Sequence, residues 1–192
     1  MPLPAFDIRG MLPPFTGTDP TVFANRSPYS CTMSELCASF GATGIRKTLL
    51  RNLIAYRALI ASDGYLNGLQ FVDGSFVEDI ETTESRDPRD IDVFSILVPP
   101  AKYQADPAAW AATGLPFWAS EIVDHAKNKA RFSLDCYAMI PDFRNLGTLM
   151  QQSFYWYGLF SHKRLTQAWK GFVAVPLDVA DDQVALTAIG GP

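Results

Sequence analysis

Residues 71–96, FVDGSFVEDIETTESRDPRDIDVFSI, decide how this chain is read. An apolar run ends at Gly74-Ser75, a polar loop follows, and the chain re-enters an apolar run in which Asp90 and Asp92 alternate with Ile91 and Val93. Side chains two apart on a strand share a face. Asp90 and Asp92 are therefore expected on one face, with Ile91 and Val93 on the other. Two carboxylates held that close repel unless a cation or a proton lies between them. Mg²⁺ is commonly held by one or two carboxylates together with substrate phosphates. A glycine turn just upstream lets backbone N–H groups approach phosphate oxygens.

The rest of the chain sets the frame. It has 192 residues, enough for one domain with a sizeable core. Apolar residues make up 48% and charged residues 19%, the balance of an ordinary globular protein. The net charge of −4 gives no basic footprint for nucleic acid. Cys31, Cys37 and Cys136 are odd in number and have no metal-ligand spacing. Reduced thiols and a cytoplasmic location are the expectation. No leader-like segment and no apolar stretch of membrane-spanning length is visible, so no membrane partner is expected. His125 and His162 are the only histidines, which excludes a histidine-rich metal site.

Periodicity and punctuation supply the elements. Residues 1–29 hold six prolines and read as an extended arm along the surface. Thr32 and Glu35 fit a capping box opening a short helix near 33–40. Residues 45–62 carry Leu49, Leu50, Leu53, Ile54, Leu59 and Ile60 at helical spacing. Arg46, Lys47 and Arg51 are assigned to its solvated face. Strands are predicted over 66–72, 91–98, 131–140 and 172–177. Helices are predicted over 106–110, 120–129 and 147–160. A domain over 30–178 and a weakly patterned tail over 179–192 complete the division. Helices alternating with strands predict an α/β or α+β fold, a mixed sheet flanked by helices.

The order of these motifs resembles the nucleotidyltransferase superfamily, in particular its polymerase β-like, aminoglycoside and minimal members. Their pattern is an apolar strand, G-S, a loop, D-x-D on the next strand, and one more acid on a later strand. Gly74, Ser75, Asp90 and Asp92 match it, with a loop slightly longer than the compact form. D-G-S-F followed by P-x-D-I-D-V, with a later aromatic–K–G segment, resembles more closely a bacterial family of unassigned function in that superfamily. The match is specific over 71–96, looser over about 45–175, and absent at both ends.

The resemblance implies a third acid on a later strand. Asp135, inside the apolar run RFSLDCYAMI, takes that place. A lone carboxylate there would be costly to bury, so it needs a metal or a basic partner such as Arg131 or Arg144. Asp124 and Asp142 are rivals in solvated settings. The implied chemistry is in-line transfer of a nucleoside monophosphate from an NTP to a hydroxyl of a protein, RNA or small molecule. Asp90, Asp92 and Asp135 would be the catalytic, metal-holding residues for Mg²⁺ or Mn²⁺, and Gly74 and Ser75 would bind the nucleotide phosphates. Ser75 also fits a helix N-cap.

Other features leave alternatives open. Residues 73–92 carry eight acids against Arg86 and Arg89. That is either a solvated loop or a surface at 78–87 for a basic protein partner. The aromatic segment 154–172 is assigned mainly to the core, with Trp156 or Tyr157 as candidates to cover a base. Lys163, Arg164 and Lys170 form a basic group for phosphates or a solvated turn. An active metal-dependent nucleotidyltransferase, a non-catalytic binding module of antitoxin-like or phage-defence type, and a structural protein reusing the fold all remain in view.

Overall fold

The computed structural model describes residues 3–19 and 21–191. It is a mixed α/β fold built on a five-stranded sheet in the order β1-β5-β2-β3-β4. The strands are β1 (Tyr29–Ser30), β2 (Gly68–Asp73), β3 (Ile91–Leu97), β4 (Leu134–Met139) and β5 (Val173–Pro176). β3 is antiparallel to β2 and parallel to β4, and β5 is antiparallel to β2 and parallel to β1. The three strands predicted around the D-x-D motif thus lie side by side. The predicted third strand starts late: Arg131 and Phe132 close a helix, and Ser133 turns the chain at φ 54° into β4.

Two helices precede β2. α1 (Met33–Phe40) opens on the expected capping box, with Glu35 N–H donating to Thr32 Oγ1 and Thr32 N–H to Glu35 Oε2. α2 (Gly44–Ser62) buries Leu49, Leu50, Leu53, Ile54, Tyr56 and Ile60 and stops before Gly64, whose φ is +97°. α3 (Ile80–Glu84) lies between β2 and β3. The β3–β4 crossover holds α4 (Ala101–Ala105), α5 (Pro107–Ala109), α6 (Leu115–Phe117) and α7 (His125–Phe132). The short helix predicted at 106–110 runs on through two π-helical turns, Trp110–Gly114 and Trp118–Ile122, and the break falls at Val123-Asp124. The helix predicted over 120–129 is thereby divided, and α7 starts at His125 with Asp124 capping the Lys127 N–H.

The sheet has two faces of different character. Val72, Ile91, Val93, Leu97, Leu134, Cys136, Val173 and Val175 join the main core with α1, α2 and α7. Alternation puts Phe71, Phe94, Ile96 and Phe172 on the opposite face, under α8 (Leu146–Phe160), with Phe160 and Trp156 packed on them. The core assignment of the aromatic segment holds for Phe160, Phe172 and the packed Trp156, while Phe154, Tyr155 and Leu159 are exposed.

Both ends are more integrated than their composition suggests. Met11 and Leu12 are buried, and the Leu12 carbonyl accepts from Gly171 N–H at 2.7 Å, so the proline-rich stretch is threaded into the fold. Met1, Pro2 and Pro20 of the predicted arm and Pro192 of the predicted tail lie outside the described residues. The expected tail forms α9 (Val179–Ala188), packed against α1 and α2. Asp182 of α9 receives the buried Arg57 guanidinium at 2.8 Å, and Arg57 also donates to Gln70 Oε1 and the Pro176 carbonyl. Cys31, Cys37 and Cys136 are buried and free. Among the described residues no helix is long and apolar enough to cross a membrane.

Candidate metal centre

The pairing register assembles the acids. β3 and β4 run in parallel with Asp92 opposite Asp135, and Asp90 stands just ahead of β3. Each of Asp90, Asp92 and Asp135 offers a carboxylate oxygen, and these oxygens all lie within 4.8 Å of one another. Burial, then the neighbouring charges of Asp90 and Asp135, push the Asp92 carboxyl up to about 6. That is the response expected of a largely buried carboxylate with two like charges beside it.

Two basic side chains missing from the sequence reading stand against the trio. Lys129 donates to Asp90 Oδ2 and, at 3.5 Å, to Asp135 Oδ2. His125 Nδ1 lies 2.6 Å from Asp135 Oδ1. Its approach lacks hydrogen-bond alignment, and that buried oxygen has no hydrogen-bond partner. The arginines weighed as partners for Asp135 go elsewhere: Arg131 faces Glu121 and Arg144 pairs with Asp142. His125 and Lys129 are four apart on α7, hence on one helix face, and α7 leads directly into β4. The signal was present as H-x-x-x-K just before the strand carrying the third acid.

Gly74 completes the constellation. It has φ +82°, and a Cβ placed there would meet Asp92 Oδ2 at 2.6 Å. Only glycine allows both the left-handed backbone and this close approach. The 3₁₀ turn Gly74–Val77 therefore begins beside the carboxylates, as the motif order predicted. Ser75 lies inside this turn and Asp73 takes the capping position, so the N-cap role expected of Ser75 is not the one it has.

Behind the turn lies a buried ionic cluster. Asp73, opposite Asp92 in the β2–β3 register, has its carboxyl pushed up to about 7, chiefly by burial, although Lys170 opposes the shift. Lys170 Nζ is 3.1 Å from Asp73 Oδ1, and it donates to Glu78 Oε1 at 2.8 Å and to the Gly74 carbonyl at 3.2 Å. Burial works against its charge, but Asp73 and Glu78 together hold its pKa above the ordinary value. Lys163 reaches Glu78 and Glu84. The basic group over 163–170 thus supplies internal counter-ions through Lys163 and Lys170.

Arg46 also departs from its assignment to a solvated helix face. It is buried, pairs with Glu81 at 2.6 Å, and donates to the carbonyls of Phe76 and Glu78. Several acids of the 78–87 loop are consequently engaged within the chain.

The donor set fits a hard divalent cation. Three carboxylates offer oxygen ligands, one buried oxygen of Asp135 lacks a hydrogen bond, and the residual negative charge exceeds what Lys129 alone neutralises. Two of the described face residues continue the same strands: Phe94 follows Asp92, and Tyr137 follows Asp135. Trp156 stacks on Phe94 with ring centroids 4.3 Å apart and an interplanar angle of 12°.

The chain belongs to a family of unknown function (DUF6932), and the match covers residues 4–176. No curated protein and no solved structure matches it.

Proposed function

We propose that this protein is a metal-dependent nucleotidyltransferase that moves a nucleoside monophosphate from an NTP to a hydroxyl of a protein, an RNA or a small molecule. The observation that carries the reading is the convergence of Asp90, Asp92 and Asp135 within 4.8 Å. These acids come from β3, the residue just ahead of it, and β4, and they meet beside the glycine turn at Gly74. Convergence of residues forty-odd positions apart is a property of the register, and local sequence does not require it.

The three carboxylates would hold Mg²⁺ or Mn²⁺. The ion would supply charge neutralisation for the triphosphate and polarisation of its α-phosphorus. N–H groups of the turn at Gly74-Ser75, with the Ser75 hydroxyl, would hold phosphate oxygens. The acceptor oxygen would form a bond to the α-phosphorus as the bond to the pyrophosphate oxygen breaks. The bonding pair would leave with pyrophosphate, and the hydroxyl proton would pass to the Asp135 carboxylate, beside which His125 Nδ1 stands at 2.6 Å. Lys129 and the ion are alternative counter-charges for the same acids.

The test is incubation of the purified chain with labelled ATP, GTP, CTP and UTP plus Mg²⁺ or Mn²⁺, alone and with cell extract. Label should appear on the protein or on an extract component, and Asp90→Asn with Asp92→Asn should abolish it. Absence of labelled product with every nucleotide and both metals would reject the activity.

One observation favours a second reading. Leu146, Met150 and Phe154 recur every four residues on α8 and are exposed, with Tyr155 and Leu159 beside them. A contiguous exposed apolar face is a common mark of contact with another macromolecule. In this reading the chain is a non-catalytic binding module, antitoxin-like or defence-associated, that works through that face. The engaged acids of the 78–87 loop leave α8 as the better candidate for the contact. Co-purification of a stoichiometric partner that Phe154→Asp releases would favour it.

A further inference from the structure

A cavity of about 350 Å³ opens between the sheet and α8. Phe71, Phe94, Ile96 and Phe172 form its floor, and Trp156 and Phe160 form its wall. Its volume falls within the range of small-molecule sites. The cavity lies on the same sheet face as the carboxylates. Phe94 is two residues beyond Asp92 on β3, so the two backbones are roughly 7 Å apart along the strand.

The chemistry of the lining defines the ligand. Among its side chains Ser153, Trp156 and Tyr157 bear one polar atom each, and the Ser153 hydroxyl is committed to the Leu149 carbonyl at 2.8 Å. A nucleobase would carry several hydrogen-bonding edge groups into this space and leave most of them unpaired, which is unfavourable. A flat apolar ring would give up little and would gain apolar and edge contacts from the aromatic lining.

We propose that this cavity binds the non-reacting body of the acceptor, an uncharged aromatic ring system whose hydroxyl points along β3 toward Asp92 and Asp135. The assignment as acceptor body rests on the nucleotidyl-transfer reading. The binding itself does not, and it needs neither metal nor nucleotide.

The probe is 2-naphthol, with adenosine as the nucleoside control, titrated into the full chain without metal by calorimetry and by the Trp156 indole N–H signal in NMR spectra. Saturable 2-naphthol binding that shifts the Trp156 signal is expected, with adenosine at least tenfold weaker. Ser153→Trp, which fills the cavity from α8, should weaken 2-naphthol at least tenfold while the stabilisation by Mn²⁺ is retained. No saturable binding of 2-naphthol, or binding that leaves the Trp156 signal in place, overturns the proposal. Adenosine binding as tightly as 2-naphthol overturns it in favour of a nucleobase site. Should Ser153→Trp fail to fold, the wild-type Trp156 signal still decides. Binding without any transfer of label to 2-naphthol in the presence of NTP and Mn²⁺ counts against the acceptor role and leaves the cavity assigned.

Discussion

Asp92 and Asp135 face each other across the parallel pairing of β3 and β4, on the sheet face that also carries Phe94 and Tyr137. The pair stands next to Asp90, and Lys129 is the ammonium in direct contact with the trio. A site with this excess of negative charge responds to added cations, and the first two expectations follow from that.

Divalent ions should stabilise the native state by mass action, since they bind it in preference to the unfolded chain. At one hundred times the dissociation constant the gain is about 2.7 kcal/mol. For a chain of this length that is a rise of roughly 5–10 °C in Tm. Thermal melts with and without Mn²⁺ measure it. The double change Asp90→Asn with Asp92→Asn should remove the rise while keeping a cooperative transition. An unchanged Tm in the wild type at saturating Mn²⁺ would count against the metal centre and for the binding-module reading.

Lys129→Met should tighten Mn²⁺ binding, because the ammonium and the ion compete for Asp90 and Asp135. A unit charge at 4 Å is worth about 4 kcal/mol at an effective dielectric of 20. The Lys129 side chain is 42% exposed, so solvent screens most of that. The expected net gain is roughly 1 kcal/mol, about fivefold in Kd. Calorimetric titration of both proteins gives the comparison. Equal affinities would show that Lys129 does not occupy the ion's place.

The buried carboxyl of Asp73 should make stability depend on pH. Its ordinary value is 3.8, and in the fold it is pushed up to about 7, with Lys170 and Asp92 the charged groups that act on it. The native state therefore binds the extra proton between about pH 4 and 7, and stability falls as pH rises through that window. Asp92, pushed up to about 6, acts in the same direction. Urea unfolding at pH 5 and pH 8 should show a smaller difference for Asp73→Asn than for the wild type. Identical slopes would remove Asp73 from the account.

The contact between α2 and α9 should dominate global stability. Arg57→Met leaves Asp182 as a buried charge without its guanidinium and removes the donors to Gln70 and the Pro176 carbonyl. Breaking a buried pair from one side costs about 3–5 kcal/mol. Arg57→Met with Asp182→Leu should recover much of that loss, since two apolar groups replace the pair. A single variant within 1 kcal/mol of the wild type in urea would contradict this role for α9.

The sequence by itself determined the elements whose signals are local. The capping box at Thr32 and Glu35, the apolar spacing of α2, the strands flanking the acidic loop and the glycine turn at Gly74 all follow from short-range rules, and each is found where it was expected. The D-x-D spacing fixed which two acids share a face, because alternation on a strand is a local property. The parallel register of β3 and β4, set by a crossover of more than thirty residues, decided that Asp135 joins them. The tertiary structure also chose the partners of the charges. Arg46 and Lys170 read as solvated or phosphate-facing, and Arg57 received no role, since a cation's partner lies far away in the chain and leaves no periodic trace. Desolvating such a cation is costly unless carboxylates and carbonyls converge on it, and only the packed fold brings Glu81, Asp182, Asp73 and Glu78 to those positions. For the same reason the cavity under α8 escaped the sequence. The stretch shows which residues are aromatic, but a void is set by how far the helix stands from the sheet.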